Sequence, residues 1–307
     1  MLIDTSNTIL SSLKRINLVS GKGGTGRTTL AASMARASAR EGMKTLLIEI
    51  EDDSGWDSAL ARNFGLKHFQ VEPEPLEEKL YGLCLSAPVG QEKFLTSFLK
   101  LQTLSQMVLG NQGIKWFLEG APAFREMGYF YHLLLQLRSD FDRIILDLPA
   151  TGHFIGLARL PNLILKMIPF GPIADRMREG QKYFYDAEQT AVFIVTLPQT
   201  LPVSEAIELK TLLSRESLPL GGYILNRAPY NPFTEAEEQM LLGLSQKSKT
   251  QKLMVELERI RRFREAEERL IEDLAAQGKG PGLWVAPEVI HPEEELHFGY
   301  RIQARGC

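Results

Sequence analysis

Between residues 15 and 50 the chain passes from a short apolar segment, RINLVS (15–20), through a glycine-rich loop, GKGGTG (21–26). It continues into an alanine-rich stretch, TTLAASMARASAR (28–40), and a second apolar segment, MKTLLIEI (43–50). Alanine at this density favours helix, and the glycine of EG at 41–42 stops it. The order is therefore strand, glycine loop, helix, strand. Strands joined by such a crossover lie parallel in one sheet. No other feature restricts the fold as strongly.

The rest of the chain extends the pattern. Further strands are expected at LYGLCLSA (80–87), DRIILDLP (142–149), AVFIVTLP (191–198), GGYILN (221–226) and GLWVAP (282–287). Each is an apolar run closed by a turn signal, as in a parallel sheet covered on both faces. Helical patterns lie between them, including PVSEAIELKTLLSRE (202–216). The expectation is one α/β domain over residues 1–307, with a doubly wound, mostly parallel sheet. Two segments look inserted: a helical subdomain at about 90–139 and a charged helical segment at about 233–277. In the latter, Glu258 can face Arg262 and Arg264 can face Glu268 at i,i+4 spacing. Its apolar stripe is too short for sustained heptads, so it reads as a solvated surface hairpin.

Composition excludes several classes. The 307 residues carry a net charge of -3, with no basic surplus for nucleic acid. Cys84 and Cys307 form no motif, which excludes a paired CxxC zinc site and suggests a reducing compartment. No secretory signal and no membrane-spanning run is visible, so a cytoplasmic protein is expected.

The glycine loop supports two readings. Residues 21–28, G-K-G-G-T-G-R-T, fit G-x-x-x-x-G-K-[ST] except for Arg27 in place of lysine. In a phosphate-binding loop, glycines turn backbone N–H groups inward and the following helix presents its positive end. Thr28 would offer its hydroxyl to Mg²⁺, and Arg27 would face the β- and γ-phosphates. The same residues match G-x-G-x-x-G (Gly21, Gly23, Gly26), with Glu49 and Glu51 where a dinucleotide fold keeps its ribose-binding acid. The phosphate loop is preferred, because a dinucleotide loop has no use for R-T-T after its last glycine. Nor does it need a second acidic strand end, and RIILDLPATGH (143–153) supplies one. That strand delivers Asp147 to its C-terminal end, suited to hold a Mg²⁺-bound water beside Thr28. An isolated aspartate there would be a turn cap. PATGH reads as a loop able to report a γ-phosphate.

Together these residues resemble the ATPases of the arsenite pump (ArsA), the MinD type and tail-anchored-protein targeting. GKGGTGRTT looks like their deviant phosphate loop, with Lys22 at the place of its signature lysine. DLPATGH is similar to the D-T-A-P-T-G-H switch of the arsenite and tail-anchor branch. VTLPQTLPVSEAIEL and YILNRAPY fall where that branch has its later strand, its helix and an adenine-side asparagine, matched by Asn226. The resemblance covers nearly the whole chain and implies a P-loop NTPase fold. It implies ATP/ADP and Mg²⁺ as cofactors and two subunits facing across their ATP sites. Lys22 would then reach the partner's phosphates, in the manner of an arginine finger.

Three departures qualify it. Arginine at 27 keeps the charge but is bulkier than lysine. Switch I lacks P-A-H; Glu51 aligns with the aspartate that orients water, and Asp52 or Asp53 are alternatives. The CxxC of tail-anchor enzymes, a cysteine trio for arsenite and a long methionine-rich insertion are missing, as expected of a short bacterial-type paralogue. FLTSFLKLQTLSQMVLGNQGIKWFL (94–118) is then the main apolar stretch, read as packing within the insert rather than as a client groove.

The expectation is a Mg²⁺-ATP-dependent dimeric ATPase acting as a conformational switch. Gly21, Gly23, Gly24, Thr25 and Gly26 would wrap the phosphates, with Thr29 on the α-phosphate. Asn226 would read adenine, and VAPEVI, including Pro287, would wall it. The alternative is a weakly or non-hydrolysing regulatory subunit. Expected partners are a second copy or a related ATPase, with a protein or membrane-associated client as a further candidate.

Overall fold

The seven predicted strands sort their side chains into two separate cores, which is why they read as continuous apolar runs. The computed structural model describes residues 8–51, 58–99, 122–148, 152–231, 233–234, 236–238, 240–241, 251–276, 282–288 and 302–305. Strands β1 (Ile16–Gly21), β2 (Thr45–Ile50), β3 (Glu74–Glu77), β4 (Leu80–Leu85), β5 (Arg143–Asp147), β6 (Thr190–Thr196), β7 (Leu220–Ala228), β8 (Gly282–Pro287) and β9 (Gln303–Arg305) form one sheet. Its order is β3-β4-β2-β5-β1-β6-β7-β8-β9. From β4 to β8 all neighbours are parallel. Along β1, Ile16 and Leu18 enter the larger core and Val19 the smaller. On β6, Val192 and Ile194 go one way, Phe193 and Val195 the other. With both faces covered, neither side of a strand has a reason to be polar.

The two outer strands were not legible. β3 pairs antiparallel with β4 across a register irregularity, and β9 pairs antiparallel with β8. Both are short and polar, and a neighbour's backbone rather than apolar alternation makes them strands.

Helix α1 (Arg27–Arg40) covers the smaller core with Leu30, Ala31, Met34 and Ala35. Its alanines let the helix lie close to the sheet. A four-residue α2 (Ala59–Arg62) adds Leu60 and Ala61. Beyond β4 come α3 (Ala87–Leu99) and α4 (Pro122–Leu137). They touch at backbone distance: a Cβ on Gly90 would lie 1.8 Å from the Gly128 carbonyl oxygen. Phe94 packs edge-on to Tyr131 with ring centroids 5.3 Å apart. These helices are the described part of the insertion expected at about 90–139; residues 100–121, and with them most of the 94–118 stretch, lie outside the described residues.

The larger core is roofed by α4, α5 (Gly152–Met167), α6 (Pro172–Tyr185), α7 (Thr200–Arg215) and α8 (Gln251–Ala275). Helix α7 starts two residues before the expected 202 and carries Pro202 in its first turn, where a missing N–H costs nothing. The charged segment departs from the expectation of a surface hairpin. Phe263, Ala266, Leu270 and Leu274 of α8 are buried in the main core. Behind them Asp273 takes an ion pair from Lys210 (2.5 Å) and a hydrogen bond from the Tyr223 hydroxyl (2.8 Å). Glu258 does meet Arg262 at 2.9 Å, but Arg264 is directed to Glu238 at 2.7 Å rather than along its own helix to Glu268. A tertiary carboxylate on the buried side outcompetes a solvated one on the same helix.

Candidate functional site

Parallel strands all end on the same edge, and here that edge collects the predicted residues. Val19 of β1 is in register with Asp147 of β5, so Asp147 stands beside the start of the glycine loop. This is where the strand order reverses, the usual ligand crevice of such sheets.

The loop takes its shape from its glycines. Gly24 (φ +83°) and Gly26 (φ +90°) are left-handed, which costs a residue with a Cβ about 1–2 kcal/mol. A Cβ on Gly26 would lie 2.3 Å from the Asn226 Nδ2, and one on Gly21 would lie 2.3 Å from the Val195 carbonyl oxygen. A Cβ on Gly23 or Gly24 would meet nothing within 4 Å. The loop is therefore pressed against the protein at both ends and open in the middle, as a cradle for phosphate oxygens requires. Thr25 is buried and its hydroxyl donates to the Lys22 carbonyl at 2.8 Å, closing the turn.

At the head of α1, the Thr28 hydroxyl donates to Asp147 Oδ2 at 2.7 Å. The other carboxylate oxygen, Oδ1, is buried and has no hydrogen-bond partner among the described residues. Burial pushes the Asp147 pKa up, against the opposing pull of the Thr28 hydrogen bond and the Arg27 charge. A hydroxyl and one carboxylate with a spare buried oxygen fit Mg²⁺, which keeps several waters and takes few protein ligands. Among the described residues no group of three or more His, Cys, Asp or Glu could hold a metal ion.

Arg27 does not point freely into the loop. Its guanidinium donates to the Leu148 carbonyl, just past the end of β5. Burial lowers its pKa, countered by Asp147. Thr29 is half-buried one residue further along α1, and its carbonyl accepts from the Ser33 hydroxyl at 2.7 Å. Asn226, buried at the end of β7, donates to the Thr25 carbonyl at 2.8 Å and accepts from the Arg227 N–H at 2.8 Å. It thus ties the loop to β7. Pro287 ends β8 in register with Ala228. Beside it lies a cleft of about 270 Å³, walled by Leu197, Pro198, Arg227, Arg259 and Glu288 among others. Glu51 is exposed at the end of β2, its N–H on the Leu85 carbonyl at 2.9 Å. Asp52, Asp53 and the Pro149–Thr151 stretch of the second switch lie outside the described residues.

Glu49, needed by the dinucleotide reading, is turned inward. It accepts from the Ser58 hydroxyl, and burial raises its pKa. Cys84 lies opposite it in the sheet; burial, then Glu49 and Glu51, push its thiol up to about 12. A thiol held protonated is neither nucleophile nor soft-metal ligand. Three further residues at this edge were not singled out by sequence pattern. Arg259 and Glu288 pair with each other, and Glu205 of α7 pairs with Lys22. Local spacing carries no such information, since their partners come from other elements.

The sequence profile of the anion-transporting ATPases matches residues 14–171, more than half of the chain. The chain belongs to the anion-transporting ATPase family. ATPase BagA of Mycobacterium tuberculosis is 27% identical over 230 residues, covering 69% of this chain and 65% of that protein. ATPase GET3B of Arabidopsis thaliana is 26% identical over 272 residues, 70% of this chain and 64% of the relative. An arsenical pump-driving ATPase of Escherichia coli is 28% identical over 218 residues, 69% of this chain and 34% of the relative. The matches thus span about two thirds or less of these proteins. The family assignment agrees with the phosphate-loop reading and with the α/β sheet. No described helix is long and apolar enough to cross a membrane.

Proposed function

We propose that this family member is a cytoplasmic, Mg²⁺-dependent ATPase that works as a dimer and uses ATP hydrolysis as a conformational switch. One observation carries the reading: Thr28 and Asp147 are held 2.7 Å apart at the head of α1, with a buried carboxylate oxygen to spare. Bound there, Mg²⁺ would neutralise charge on the β- and γ-phosphates. Thr28 would hold it directly and Asp147 through a water. Gly21, Gly23, Gly24, Thr25 and Gly26 wrap the phosphates through backbone N–H groups, and Thr29 takes the α-phosphate. Asn226 and the Pro287 segment flank the base. Glu51 orients the attacking water, and Lys22 serves the second subunit's phosphates. The partner is a second copy or a related ATPase, and a protein or membrane-associated client is acted on by the switch.

The commitment of Arg27 to the Leu148 carbonyl supports a second reading, a nucleotide-binding subunit with little turnover paired with an active relative. ATP binding and hydrolysis by the purified protein, beside Thr28→Ala, separate the possibilities. Turnover that falls at least tenfold in the variant, with weakened Mg²⁺-ATP binding, supports the first. Tight binding without turnover supports the second. Unchanged Mg²⁺-ATP affinity in Thr28→Ala overturns the metal assignment in both.

A further inference from the structure

Lys22 is half-exposed at the front of the glycine loop, yet its ammonium is already engaged. It forms an ion pair with Oε1 of Glu205, on the second turn of α7. Glu205 is unusual for a helix-surface carboxylate. Its other oxygen, Oε2, is buried and has no hydrogen-bond partner among the described residues. Its neighbours Val203 and Ala206 are buried in the main core, so the carboxylate stands on a fixed base while the lysine stands on a loop. A half-desolvated carboxylate with one oxygen unpaired gains more from a mobile ammonium than a fully solvated one would.

We propose that Glu205 is a positioning residue for Lys22. It holds the ammonium against its own subunit until nucleotide is bound and a second copy approaches. The inference rests on the reading that Lys22 acts across the dimer. The exchange is chemically reasonable. A triphosphate offers several negative charges to one carboxylate, so the lysine gains by leaving Glu205 once a partner's phosphates come within reach. The intramolecular pair competes with that engagement and sets the protein concentration at which dimers form. Glu205 touches neither nucleotide nor reacting atoms in this scheme; it acts only through Lys22.

The test uses the full chain, with two readouts. The first is the rate at which an amine-acylating reagent modifies Lys22 without nucleotide, followed by peptide mass spectrometry with exposed Lys67 as internal control. Glu205→Gln should speed acylation of Lys22 severalfold and leave Lys67 unchanged, while Glu205→Asp, which keeps the charge, should restore much of the protection. The second is dimer formation by sedimentation with Mg²⁺ and a non-hydrolysable ATP analogue. Glu205→Gln should lower the half-point concentration at least threefold, and that gain should vanish when Lys22 is also changed to Gln. A merely structural role for Glu205 would act alike with and without Lys22. Unchanged Lys22 acylation in Glu205→Gln overturns the pairing itself. Faster acylation with no nucleotide-dependent dimer in any variant overturns the proposal by removing the cross-subunit role, and it leaves the contact intact.

Discussion

Two carboxylates, one packed against Lys210 and Tyr223 and one beside the glycine loop, are treated in opposite ways. Asp273, on α8, is tied in: Lys210 and Tyr223 both reach Oδ2, the Lys210 ammonium also touches the Asp273 carbonyl at 3.3 Å, and neither carboxylate oxygen is buried without a partner. Asp147, beside the glycine loop, accepts one hydrogen bond from Thr28, and its buried Oδ1 has no partner among the described residues. A carboxylate paired across elements is a clamp. One with a buried oxygen left unpaired is a cost to the folded chain. The contrast separates structure from function more cleanly than burial does.

The largest effect should come from breaking the clamp. Asp273→Ala leaves the Lys210 ammonium buried without its partner, which costs about 3–5 kcal/mol of stability by urea unfolding. Replacing both charges, with Lys210→Met and Asp273→Leu together, should recover part of the loss. A cost below about 1 kcal/mol for the single change would place the pair among ordinary surface bridges and erase the contrast.

Asp147→Asn should behave in the reverse way. A carboxylate whose folded pKa is raised contributes stability below its unfolded pKa and loses it as pH rises through the folded one. At neutral pH the wild-type chain therefore carries a burial penalty that the neutral amide removes. Without nucleotide, the variant should melt no lower than wild type. Its affinity for Mg²⁺-ATP should fall about tenfold or more, which is at least about 1.4 kcal/mol. A strongly destabilised variant with normal nucleotide affinity would make Asp147 a structural residue like Asp273.

The smallest effect is an acid limb at α3 and α4. His132 is fully buried, its Nδ1 accepting from the Ser86 N–H at 3.2 Å, and burial followed by Lys93 holds its pKa below the usual 6.5. The folded state resists protonation there, so stability should begin to fall as pH drops below about 6.5 and continue falling towards the lower folded pKa. His132→Gln should flatten that limb in pH-dependent thermal melts. An unchanged limb would assign it to other groups.

Strand existence was legible wherever both faces of a strand are buried, since every residue then carries the apolar signal. That covers β1, β2 and β4 to β8. It failed at β3 and β9, whose polar residues become strand only because a neighbouring backbone pairs with them. Helix α8 was visible as a helix but misread as surface, because its many charges outvote Phe263, Ala266, Leu270 and Leu274 in any composition average. That the glycine loop, Thr28 and Asp147 would meet was legible, because a strand–loop–helix start and a second acidic strand end come to the same edge of a parallel sheet. Glu205, Arg259 and Glu288 were not, since each meets a partner remote in sequence.

The βαβ start, the glycine loop and the order in which the Thr28 hydroxyl and the Asp147 carboxylate arrive beside it follow from the amino-acid order alone. These depend on local backbone freedom and on residue chemistry. Which charges meet is settled by the folded packing: Lys22 with Glu205, Arg27 with the Leu148 carbonyl, Lys210 with Asp273. Charge attraction acts through space, and the chain's order says little about which side chains the fold brings within reach.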